Sequence, residues 1–186
     1  PTGLDASRVT DAWIETVHDK AEHGYWLVVR GTHIGDQVVA AATAAGLSHA
    51  AVFDKERDEV IEAVGKGVVR TPLRELLAQA HRLLIIRPRD YSADEGRAAV
   101  ERARAVVGNK YDWLGTVGAQ NDRRFYCTEL CAYSFRARER GLVKEGLIYP
   151  EKMDELGEVI FDSGPRESSK DDLDIDDALR ARFAKR

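Results

Sequence analysis

The chain has 186 residues, of which 44% are hydrophobic and 32% charged, with a formal net charge of -4. That length and balance suit a single globular domain with a real core, and the net negative charge gives no support for a nucleic-acid partner. No apolar run reaches the length of a bilayer span, and no basic-then-apolar leader stands at Pro1.

In chain order, residues 6–22 predict an amphipathic helix, with Val9, Trp13, Ile14 and Val17 on one side and Gly24 ending it. Residues 25–30 predict a buried strand from their aromatic and β-branched content. A turn at 31–35 leads through Asp36 into an Ala-rich segment, expected to be helical and closed by Gly46. Two strands, 48–54 and 58–64, follow around a polar turn. Thr71 and Pro72 read as N-cap and first residue of a helix running to about Ala80.

Residues 81–87 predict another strand, stopped by Pro88. Residues 92–107 predict a helix, with Ser92 and Glu95 spaced as a capping box. Residues 109–124 form a long polar loop, a length that is usually functional or mobile. A helix is expected from Cys127 to about Arg140, a short helix from Tyr149-Pro150-Glu151, and a last strand at 159–161. One domain is thus expected over residues 1–163, with a polar, charged tail at 164–186. The chain reads as soluble, with the cytoplasm as default and the cell envelope open if a leader was removed. Oligomeric state is open.

The chemistry centres on Phe125-Tyr126-Cys127-Thr128-Glu129-Leu130-Cys131. A thiol at a helix N-terminus faces the positive end of the helix dipole, which favours the thiolate. Cys127 at that position also offers its backbone N–H to a developing oxyanion, with Tyr111 and Tyr126 as candidates to complete the hole. Cys131, one turn on, reads as a core residue. Neither a disulfide framework nor metal-ligand spacing is present, so no metal or cofactor is expected.

A base is available on the strand at 48–54. His49, Ala51 and Phe53 share one face of it. If the two strands turn near Lys55-Glu56, Asp54 faces Arg57 and His49 faces Glu62. A carboxylate there would orient the imidazole and fix its tautomer. A turn longer or shorter by one residue would separate the two side chains onto opposite faces. Asp36 reads as a cap of the Ala-rich segment, with a place beside the site as the weaker option.

The order of Gly35-Asp36, Leu47-Ser48-His49-Ala50-Ala51-Val52, Val60-Ile61-Glu62-Ala63 with Gly67-Val68, Gly108-Asn109-Lys110-Tyr111-Asp112 and Phe125-Tyr126-Cys127-Thr128-Glu129-Leu130 resembles the YiiX/YebB-like group of NlpC-type, circularly permuted papain-fold cysteine hydrolases. The resemblance covers residues 26–161. It implies an α+β fold: a small, mostly antiparallel sheet or open barrel packed against the helix carrying the cysteine. It also implies Cys127 as nucleophile, His49 as base, Glu62 as orienting group, and pocket-lining places for Tyr111 and Tyr126. Thr128 stands where serine is commoner in the motif. Relatives by this resemblance act on peptidoglycan peptides or on lipid acyl groups. The expected function is therefore an amidase or peptidase working through a thioester. A small amide or peptide is the preferred substrate, and an acyl lipid is admissible. Acyl transfer, a non-catalytic binding module on the same fold and a metal-dependent hydrolase are the alternatives.

Overall fold

The computed structural model describes residues 3–31, 47–111, 124–143 and 148–164; the backbone alone is described at 3–5, 111 and 124. Helix α1 (Gly3–Lys20) leads into strand β1 (Trp26–Gly31). Strands β2 (His49–Asp54), β3 (Glu59–Val64) and β4 (Gly67–Pro72) follow, then helix α2 (Leu73–Ala78), strand β5 (Ala80–Pro88) and helix α3 (Ala93–Ala105). Strands β6 (Lys110–Tyr111) and β7 (Arg124–Phe125) precede helix α4 (Cys127–Ser134). A 3-10 helix (Pro150–Leu156) and strand β8 (Gly157–Asp162) complete the described elements.

Six strands form one antiparallel sheet in the order β4-β3-β2-β1-β5-β8. Helices cover both faces. On one face Ala50, Val52, Ile61 and Ile86 pack with Ala99 and Val100 of α3 and with Leu130 and Cys131 of α4. On the other, Ala51, Phe53, Val60 and Ile85 pack with Trp13 and Val17 of α1 and with Leu73 and Leu77 of α2. This is why β1 and β2 read as nearly continuous apolar runs: a central strand covered on both sides has no solvent face to mark with polar residues. Each fully buried side chain of the Phe53 or Ile85 kind contributes roughly 1.5–3 kcal/mol, enough to offset the ordering of its own backbone.

Local chemistry explains most of the boundaries. Ser92 caps α3, its hydroxyl accepting the Glu95 N–H at 3.2 Å. Only half of the expected capping box forms, because the Glu95 carboxylate turns to Arg102 and Arg136 instead. Gly24 (φ 88) makes the turn into β1 against Gly96 of α3; a Cβ on Gly24 would lie 2.7 Å from the Gly96 carbonyl oxygen. The long loop expected at 109–124 is bounded by a short parallel pair, β6 with β7. The expected helix at 36–45, the interior of that loop and the tail after residue 164 lie outside the described residues.

Three expectations need correction. The helix from Cys127 stops at Ser134 rather than near Arg140. Arg136 takes a left-handed conformation (φ 51), its N–H bonds the Tyr133 carbonyl at 2.9 Å, and the Ala137 N–H bonds the Ala132 carbonyl at 2.8 Å. That paired closure ends the helix without the usual glycine. Strand β4 was not expected, since Gly67 to Pro72 shows no clean alternation. Helix α2 has Pro72, not Thr71, in the cap position, and the Thr71 hydroxyl bonds elsewhere.

Candidate active site

His49 is the first residue of β2 and Cys127 the first of α4, so each side chain stands at the opening of its element. Ser48 steadies the approach to His49, with its N–H on the Val29 carbonyl (2.9 Å) and its hydroxyl accepting the Gly31 N–H (3.0 Å). Helix α4 is buried almost all round, Tyr133 excepted. Such a helix is held by its surroundings on every side, and its polar residues must find partners. Thr128 donates to the Ile148 carbonyl at 2.5 Å, and Ser134 to the Cys131 carbonyl at 2.7 Å.

The structure brings Cys127, His49 and Glu62 together. Nε2 of His49 lies 2.6 Å from Oε2 of Glu62, and the Cys127 side chain is close enough to His49 to raise its pKa. The bond to Glu62 engages Nε2, so Nδ1 is the ring nitrogen that Glu62 does not use. All three are nearly closed off from solvent: Cys127 is 6% exposed, His49 4% and Glu62 6%.

The contact between His49 and Glu62 arises differently from the expectation. The β2–β3 connection is a four-residue loop, Lys55 to Asp58, with Asp54 opposite Glu59. Asp58 takes a left-handed conformation (φ 53), which aspartate tolerates. Glu62 therefore stands opposite Ala51, not His49. The register differs by two residues, one full pleat repeat, so the side chains keep their shared face and meet on the diagonal.

Burial by itself would lower the His49 pKa. The Cys127 thiol and the Glu62 carboxylate outweigh it, and the pKa is raised well above the ordinary histidine value. Cys131 behaves as expected of a core thiol: it is fully buried, and desolvation, helped by nearby Cys127, pushes its pKa well up.

The sequence reading missed Thr71. From β4 its hydroxyl donates a hydrogen bond to Oε1 of Glu62, while His49 bonds Oε2. A diagnostic was present: a threonine two residues after Val69, itself opposite Glu62, in a strand that would have to be recognised first. The Thr-Pro pair at 71–72 reads more naturally as a helix start, and that competing signal hid it.

The other expected site residues fall as follows. The Tyr126 hydroxyl accepts the Ile148 N–H at 3.2 Å, and burial raises its pKa to about 12. Together with Thr128 it grips both backbone polar groups of Ile148. For Tyr111 only the backbone, in β6, is described. Asp36 lies outside the described residues. Among the described residues no helix is long and apolar enough to cross a membrane.

An α+β sheet layered between helices, with a helix-borne cysteine following its histidine in the chain, defines a permuted papain-like arrangement. The family model described as "permuted papain-like amidase enzyme, YaeF/YiiX, C92 family" matches residues 32–161. The chain belongs to this family, and it is an enzyme of the papain-like cysteine hydrolase kind. A search of curated proteins finds no match to it.

Proposed function

We propose that this enzyme cleaves an amide bond through a thioester on Cys127, with His49 as general base and Glu62 as the group that orients it. The carrying observation is the 2.6 Å hydrogen bond from imidazole to carboxylate, with the buried Cys127 thiol near enough to act on the same imidazole. A nucleophile needs a base in reach, and the base needs a third group to set its tautomer.

In this reading Cys127 gives its proton to His49 and attacks the substrate carbonyl. The raised basicity of His49 favours that transfer. The first-turn amide of Cys127 has no intrahelical acceptor and faces the oxyanion that forms. His49 then returns the proton to the departing amine. Water enters, His49 takes its proton, and the thioester collapses to acid and free thiol. Tyr126 and Thr128 hold the Ile148 segment against the start of the nucleophile helix. The preferred substrate class is a small amide or peptide.

The test is a panel of activated acyl amides and esters, read by intact-protein mass spectrometry. The proposal expects one acyl adduct, mapped to Cys127, that clears with time and is absent in Cys127→Ser. Adducts that form equally on the serine variant, or that map elsewhere, would overturn it.

A further inference from the structure

We propose that Thr71 is a positioning residue for this site: its hydroxyl holds the Glu62 carboxylate in the orientation that supports His49. The inference rests on the roles proposed above for Cys127, His49 and Glu62.

Three adjacent strands each supply one member of a diagonal row. His49 begins β2, Glu62 lies on β3 and Thr71 on β4. In the ladder Thr71 stands opposite Val60, and Val60 and Glu62 point to the same face. The row thus crosses the sheet one pleat at a time, and each step is a side-chain hydrogen bond.

The chemistry of the donor matters. An ionised carboxylate only accepts hydrogen bonds, so Thr71 spends its single proton on Oε1. That fixes the carboxylate plane and presents Oε2 to the imidazole. A neutral hydroxyl does this without neutralising Glu62. A lysine or arginine at 71 would compete with His49 for the same negative charge. A buried carboxylate that loses such a donor is less well held in its ionised form. The charged and titratable groups acting on His49 among the described residues are Glu62 from β3 and Cys127 from α4. Loss of the Thr71 bond should therefore weaken the imidazolium and slow alkylation of Cys127 near neutral pH.

The experiment uses iodoacetamide labelling of the full chain, with fragment-ion mass spectrometry separating Cys127 from Cys131. The readout is the labelling rate at pH 6 divided by the rate at pH 9 in the same protein, which cancels changes in access. Thr71→Val should lower that ratio by on the order of tenfold, the size of one charge-assisted hydrogen bond. Thr71→Ser, which keeps the hydroxyl, should stay within about twofold of wild type. Glu62→Gln, run in parallel, should fall at least as far as the valine variant. If Glu62→Gln falls and Thr71→Val does not, the role of Thr71 is overturned and the triad stands. If Glu62→Gln leaves the ratio unchanged, the triad reading fails and takes this inference with it. Thr71 is only partly buried, so the valine variant should fold. If Thr71→Val and Thr71→Ala both misfold while Thr71→Ser folds, the hydroxyl serves the fold and the inference is overturned.

Discussion

At the scale of single residues, the site is a problem of charge placed in a dry setting. His49 is almost fully buried, and burial alone would strip its proton. Its neighbours reverse that, so its folded pKa lies above the unfolded value of about 6.5. A raised histidine pKa contributes stability that is complete below about pH 6.5 and is lost as pH climbs through the folded value. Glu62→Gln removes the compensating charge, so the variant should lose this acid-side stability relative to wild type. Urea melts at pH 5.5 and pH 9 should show the wild-type advantage shrinking at the higher pH. For catalysis, Cys127→Ser and His49→Ala should each abolish turnover of an identified amide substrate, while circular dichroism stays native. Glu62→Gln should cost less, since it mis-sets the imidazole without removing it. The three proposed participants were all legible in the sequence. Thr71 was not, because its contact depends on strand β4, and the local Thr-Pro signal pointed to a helix cap.

At the scale of elements, the β2–β3 hairpin decides whether histidine and carboxylate share a face. Its register is secured at the far end from the site. Asp54 is fully buried and receives Nε and Nη2 of Arg104 at 2.8 and 2.6 Å; Arg104 also bonds Glu59. One guanidinium from α3 thus ties the last residue of β2 to the first residue of β3. The Arg57 N–H adds a bond to Asp54 at 3.3 Å. Arg104→Ala takes the closest cation from buried Asp54 and leaves it Nη1 of Arg57 at 3.3 Å and Nδ1 of His23 at 3.5 Å, so the loss of these charged hydrogen bonds should destabilise the fold by about 2 kcal/mol. A urea midpoint lowered with an unchanged slope would agree with that; a midpoint within error of wild type would not. The four-residue loop explains why the expected register was two residues off. Polar residues at 55–58 announce a turn, but its length is set by the left-handed Asp58 and by contacts from α1 and α3. Such contacts are distant in sequence, so only the parity of the pairing was readable, not its count.

At the scale of the whole molecule, the architecture is a sheet with helices on both faces, and the proposed chemistry stands where β2 and α4 open. The hydrophobic runs of β1, β2 and β5 made the sheet readable, and the capping serine at 92 made α3 readable. The end of α4 was not, because Arg136 adopts a conformation that sequence assigns to glycine. The Gly24–Gly96 contact sets how closely α3 approaches the turn before β1. Gly96→Ala should therefore push α3 outward and lower the melting temperature, since its Cβ would meet the His23 carbonyl oxygen at 2.2 Å.

The convergence of sulfur, imidazole and carboxylate is tested most directly by the pH dependence of Cys127 alkylation in wild type and His49→Ala. Iodoacetamide near pH 6 should modify Cys127 much faster than it modifies free cysteine, and the His49→Ala chain should lose that advantage. Labelling no faster than free cysteine, and unchanged by His49→Ala, would contradict the account.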